Sequence, residues 1–299
     1  SQRELKELIM DARQDNIEVY PPRLNHLYSD FTYNEGKIHF GMSHIKNVGT
    51  KECEAITEIT KKENISEYTW MDCLIKIIHG MNLNKRSVVS LISVGAFNGK
   101  NNKLNRQKML YEFDSWESLS EREKKCIADN YSPNQSLEKA IEKIPNIIKI
   151  TPKRVVVLRD IISSLTKPFY DLTDDLGSIA DLESKFLGCA LTCGKTDSIT
   201  ISNKSCKDVN NGSIIGKVNL AVTISSIRTY KTKKGKNPGQ DMAFLKVEDS
   251  SGELDSVTIF PEQYQEYKDL LIERNTVLLM SEISKKDKTS IIVNKVLQI

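Results

Sequence analysis

The sequence predicts an α+β, multidomain chain, mainly helical over its N-terminal two-thirds and ending in a small five-stranded β-barrel. Three observations predict it. Up to about residue 212 the apolar residues recur mostly at helical spacing, punctuated by capping and turn residues. From Lys217 the period changes to that of strands. At 299 residues the chain is long enough for two or three separate cores. The pattern divides it into 1–112, a helical connector 113–212, and the barrel 213–299.

A helix is expected from Arg3 to Gln14, then a short strand Ile17 to Tyr20 stopped by Pro21-Pro22. DFTY and KIHF, joined by Asn34-Glu35-Gly36, read as a β-hairpin. GMSHIKNVG, from Gly41 to Gly49, reads as a tight turn with a helix starting at Thr50. LNKRSVVSLISVGAF forms a second helix–turn unit: Asn84 as N-cap, Val88, Leu91 and Ile92 on its apolar face, and Gly95 just past its end. In the connector, Ser120-x-x-Glu123 has the form of a capping box, and Thr151-Pro152 opens another helix. The C-terminal strands are KVNLAVTISSIRT, MAFLKVED, GELDSVTIF, NTVLLMSEISK and SIIVNKVLQI, with the helix PEQYQEYKDLLI between the third and fourth. That order matches an OB-fold, a small Greek-key barrel.

Composition narrows the function. With 39% hydrophobic and 28% charged residues the chain reads as a soluble globular protein. No apolar run approaches the roughly 18–20 residues that span a bilayer, so no membrane partner is expected. A net charge of +3 is too small to imply a nucleic-acid partner; only clustering could do so. The six cysteines read as free thiols of a reducing cytoplasm, Cys53 and Cys73 as core residues. Cys189, Cys193 and Cys206 lack the fourth ligand of a zinc site, and no metal or cofactor is expected in this chain. The opening at Ser1, without methionine, reads as a piece excised from a larger protein.

Two segments carry candidate chemistry. The Gly41–Gly49 turn brings backbone N–H groups and the positive end of a helix dipole to one surface point, which suits a phosphate oxygen. Lys46, Asn47, Val48, Gly49 and Lys51 are its candidate residues, with Lys85 and Arg86 in the first turn of the second helix. The bracketing glycines are expected where the backbone approaches a ligand or needs positive φ. An ordinary turn and a solvated helix face are the competing explanations. The second segment is RTYKTKKGKNPGQ, where Arg228, Lys231, Lys233, Lys234 and Lys236 flank Tyr230 with no acid among them. Cations that track phosphates beside a ring that stacks on a base are what single-stranded nucleic acid requires. A solubilising hairpin tip is the alternative. Phe244 and Phe260 read as core residues of the barrel, with stacking on bases as their alternative role.

These pieces together resemble the C-terminal half of the bacterial DNA polymerase III alpha subunit. The resemblance rests on IEVYPPRLNHLYSDFTYNEGKIHFGMSHIKNVG, LNKRSVVSLISVGAFNG, SKFLGCALTCG and the stretch IRTYKTKKGK through MAFLKVEDSSGELDSVTIFPEQYQEY, in that order. It implies a fingers-end segment, a helix-hairpin-helix module on template–primer duplex, an OB domain on single-stranded DNA, and a bacterial or phage-infected cytoplasm. The divergent connector implies a phage or otherwise distant version. Asn47 stands where the family's hairpin has its first glycine, and asparagine is the next best residue for left-handed geometry. Cys193-Gly194-Lys195 replaces the family's glycine-histidine-proline. The aspartates that hold Mg²⁺ for nucleotidyl transfer have no counterpart here, so that chemistry would belong to a parent polymerase. A free-standing hairpin and OB-fold protein binding single-stranded DNA is the alternative, and an RNA ligand for the barrel stays open. Gln107, Leu110 and Tyr111 have the spacing of a sliding-clamp peptide, against an amphipathic helix burying Met109, Leu110 and Phe113.

Overall fold

The computed structural model describes residues 2–15, 17–194, 196–197, 199, 201–233 and 238–299, the side chains of 2, 3 and 14 excepted. The backbone groups into two compact units, 19–189 and 1–18 with 190–299. Helix α1 (Gln2–Gln14) belongs to the second. It buries Ile9 and Met10, pairs Lys6 with Glu248 at 2.6 Å, and donates from Arg13 to the Ala190 and Leu191 carbonyls.

The unit 19–189 begins with a small sheet ordered β1 (Glu18–Tyr20), β3 (Lys37–His39), β2 (Thr32–Asn34). Its hairpin is tighter than expected. Asn34 pairs with Lys37, leaving Glu35 (φ 50) and Gly36 (φ 79) as a two-residue turn with both central φ angles positive. Helix α2 (Thr50–Lys62) follows the Gly41–Gly49 turn and α4 (Lys85–Ser93) follows its Asn84 cap, both as foreseen. Between them lies α3 (Trp70–Asp72), continuing as π-helical turns over Cys73–His79. Then come α5 (Arg106–Glu117), α6 (Glu121–Asn130), α7 (Leu137–Ile147), α8 (Pro152–Thr166) and α9 (Leu176–Leu187). Both connector caps hold. Ser120 and Glu123 exchange backbone bonds at 2.7 and 3.4 Å, and Thr151 accepts from the Arg154 amide with Pro152 at the first helical position. Phe40, Met42, Ile45, Ile56, Leu74, Leu91, Phe97, Phe113 and Trp116 fill the core, with Cys53 and Cys73 buried beside them.

In the other unit the short helix α10 (Cys206–Asn210) precedes a closed OB-type barrel: β4 (Lys217–Lys231), β5 (Asp241–Asp249), β6 (Gly252–Ile259), α11 (Pro261–Tyr267), β7 (Thr276–Ile283) and β8 (Ile291–Gln298). Strand order is β4-β5-β6-β8-β7, with β6 and β8 parallel. Closure depends on β4. Its first half pairs with β7 and its second with β5, and a register shift between Ile224 and Ser226 bends it from one neighbour to the other. Alternate residues Val218, Leu220, Val222 and Ile224 point inward to meet Leu245, Val257, Val277, Leu279 and Ile291. No described helix is long and apolar enough to cross a membrane.

Candidate nucleic-acid interfaces

The turn at 41–49 is built differently from the expectation for its glycines. Gly41 (φ −81) and Gly49 (φ −96) both have ordinary negative φ. Left-handed geometry falls on Asn47, at φ 71, as its substitution for glycine implied. Gly41 is needed for space: a Cβ there would lie 2.6 Å from the Asp30 carbonyl carbon and 2.7 Å from the Phe31 nitrogen. The close approach is therefore to the chain's own backbone.

The amide donors are also fewer than expected. Lys46 N–H donates to the Phe186 carbonyl at 2.9 Å, Val48 N–H to Ile45, and Gly49 N–H to the Glu52 carboxylate at 3.2 Å. Glu52 is buried at the start of α2, where it balances the helix dipole from within, and it also accepts from the Asn84 amide at 2.6 Å. The amides of Asn47, Thr50 and Lys51 have no acceptor among the described residues. They belong to exposed residues, next in the chain to the exposed side chains of Lys46 and Lys51. Val48 is buried and packs the turn.

Helix α4 holds the turn from behind. Ser87 donates to the Asn47 carbonyl at 2.6 Å, and the Asn47 amide group donates to Ser90 at 3.0 Å. Asn84 caps α4 through the Ser87 N–H at 2.9 Å, and Gly95 ends it at φ 77, as the sequence reading expected. Arg86 is exposed; Lys85 is exposed too and pairs with Asp114 at 3.1 Å.

The connector contributes more than the sequence reading allowed it. Asp174 accepts the Arg106 and Gln107 amides at 2.7 and 3.0 Å, capping α5 from 68 residues away in the chain. Glu183 is fully buried against Arg106 at 2.7 Å, and Arg106 also donates to the Ser93 carbonyl at the end of α4. Burial and the Arg106 guanidinium pull the Arg23 pKa down, with Glu183 acting in the opposite sense. Gln107, Leu110 and Tyr111 lie in the first turns of α5. Met109 and Phe113 are buried, Leu110 half-buried, and the Tyr111 hydroxyl donates to the Ser164 carbonyl at 3.1 Å.

On the barrel, β4 runs further than expected, so Arg228, Tyr230 and Lys231 stand on its outer end rather than in the loop. All three are exposed, as is Lys233; Lys234 and Lys236 lie outside the described residues. Phe244 and Phe260 do not pack in the core: they are 43% and 44% exposed, and Tyr230 is 45% exposed. Alternation explains the misreading. Phe244 falls between inward-facing Ala243 and Leu245, and register sets it beside Arg228 on one side and Thr258 on the other. At the opposite end of this face Lys246 is already paired, with Glu253 at 2.6 Å and Asp255 at 3.3 Å. The β7–β8 connection exposes Lys285, Lys286 and Lys288, which sequence reasoning passed over because no aromatic accompanies them. Among the described residues no three His, Cys, Asp or Glu side chains are grouped to hold a metal ion.

A family model described as a helix-hairpin-helix motif matches residues 16–109. The DNA polymerase III subunit alpha of Borreliella burgdorferi is 25% identical over 97% of this chain, and that of Chlamydia muridarum is 23% identical over 93%. The corresponding Bacillus subtilis subunit is 22% identical over 97%. The chain is similar to a C-terminal region of the DNA polymerase III alpha subunit. It spans 21–24% of the length of these three polymerase relatives. The polymerase likeness runs through both units, because the aligned stretches cover nearly the whole chain.

Proposed function

We propose that this chain is the DNA-binding part of a DNA polymerase III alpha-like replicase. The turn at 41–51 holds the backbone of template–primer duplex and the OB barrel guides single-stranded template. The carrying observation is that three amides without an acceptor among the described residues, at Asn47, Thr50 and Lys51, occur with the side chains of Lys46 and Lys51 at the N-terminus of α2. Such a site accepts a phosphate oxygen without reading base edges, so duplex binding is not sequence-specific. On the barrel, Arg228 and Lys231 follow phosphates while Tyr230 and Phe244 offer faces for base stacking. The β4–β5 and β7–β8 connections, the second with exposed Lys285, Lys286 and Lys288, are the loops by which OB-folds engage oligonucleotides.

Nucleotidyl transfer needs carboxylates held close around Mg²⁺. That step is assigned to the remainder of a parent polymerase, and the chain alone is expected not to extend a primer. Duplex binding measured by fluorescence anisotropy across a salt series tests the hairpin. Replacing Lys46 and Lys51 together by glutamine should reduce the slope of log affinity against log salt by about 1.8, at roughly 0.9 per phosphate contact. Affinity for oligo-dT should stay as it was. An unchanged duplex slope would leave the turn a structural element only.

A further inference from the structure

We infer that helix α9, which lies outside the matched motif, completes the duplex-contacting face of the hairpin and supplies Lys185 as a further phosphate ligand. The inference rests on reading the 41–51 turn as a duplex site. It begins with the Lys46 amide, which donates to the Phe186 carbonyl at 2.9 Å and so places the end of α9 directly against the turn. Lys185 is the residue before that carbonyl. It is exposed, and its ammonium stands over the Phe186 ring at 5.1 Å from the centroid. The ring steers the lysine stem without neutralising its charge.

Lys185 has no carboxylate partner among the described residues, in contrast to Lys85, which Asp114 holds. Lys46, Lys51 and Lys185 are thus three exposed cations without a carboxylate partner among the described residues, two on the turn and the third on the helix end bonded to it. Like charges brought together raise the local potential and cost stability until an anion joins them. Because the Lys46 amide is already committed to Phe186, the turn depends more on side-chain cations than a hairpin with all its amides free. The end of α9 is also fixed in place. Asp175 caps its start through the Ser178 amide at 2.9 Å, and buried Glu183 ties its last turns to Arg106. A cation mounted there is carried by a helix end that is itself held in place.

The test uses the full chain with duplex and with oligo-dT, read by anisotropy across a salt series. Lys185→Gln should lower the duplex salt slope by about 0.9, leave oligo-dT binding unchanged and leave the melting temperature equal to or above that of the parent. Lys185→Arg should restore the slope, since the charge returns. Lys46→Gln, measured alongside, separates the two levels of the reading. A slope reduced by Lys46→Gln but untouched by Lys185→Gln overturns the role of α9 and leaves the hairpin site standing. If neither variant changes the slope, the hairpin site itself falls.

Discussion

Glu112 offers a test of the helical unit that can be worked from its surroundings. It lies in α5, only 7% exposed. Burial pushes its pKa up from 4.5 to about 7; Lys108, one turn earlier at 3.8 Å, opposes the shift, and Glu138 adds to it. A folded pKa above the unfolded value means that the folded chain favours the protonated acid. The contribution to stability is then fully present below pH 4.5 and is lost as pH rises through 7. At about 1.4 kcal/mol per unit, the lost stability approaches ~3 kcal/mol at pH 8. Glu112→Gln keeps the shape and removes the charge. The variant should be more stable than the parent by up to ~3 kcal/mol at pH 8, and nearly equal to it at pH 4.5. Urea unfolding followed by tryptophan fluorescence reads this unit alone, because both tryptophans, Trp70 and Trp116, lie within it. A difference between variant and parent that does not change from pH 5 to pH 8 would refute the reasoning.

Other outcomes follow from the same structure. His39 stacks on His26 at 3.8 Å, and burial, then His26, then Lys37 hold its pKa below 6.5. Stability of the unit should therefore be intact above pH 6.5 and decline as pH falls below it, and His39→Phe should flatten that decline in acid titrations of urea midpoints. On the barrel, Lys231→Gln with Lys233→Gln should lower the oligo-dT salt slope by about 1.4, whereas Tyr230→Ala or Phe244→Ala should weaken binding by about 1–3 kcal/mol at constant slope. Equal affinity and slope in all of these variants would move the binding surface elsewhere. Gly41→Ala sets a methyl against the Asp30 and Phe31 backbone, so a clear drop in melting temperature is expected; an unchanged melt would show that these two segments can move apart at no cost.

Much of this was legible in the sequence because the signals are local. Period-two alternation over five segments, with a helix between the third and fourth, specifies the barrel without knowledge of its contacts. Asn84, Gly95, Ser120 and Thr151-Pro152 mark helix ends through bonds made within three or four residues. What escaped depends on partners distant in sequence. Glu52 looks like any first-turn acid of a surface helix until the fold brings Asn84 onto it. Asp174 sits in a polar stretch, and only tertiary structure makes it the cap of α5. Phe244 was misassigned because an aromatic on a strand defaults to the core, while its facing is set by a register that one residue reverses.

The bond from the Lys46 amide to the Phe186 carbonyl has a kinetic side. The turn is complete in sequence by Thr50, yet its last acceptor belongs to a residue synthesised far later. The Arg106–Glu183 pair likewise joins positions 77 residues apart. Contacts of such separation slow folding, since the intervening chain must be closed before they form. During synthesis the two helices around the turn can wind early, but the amide of Lys46 stays open to solvent until α9 has left the ribosome. The turn is therefore among the last parts of its unit to mature.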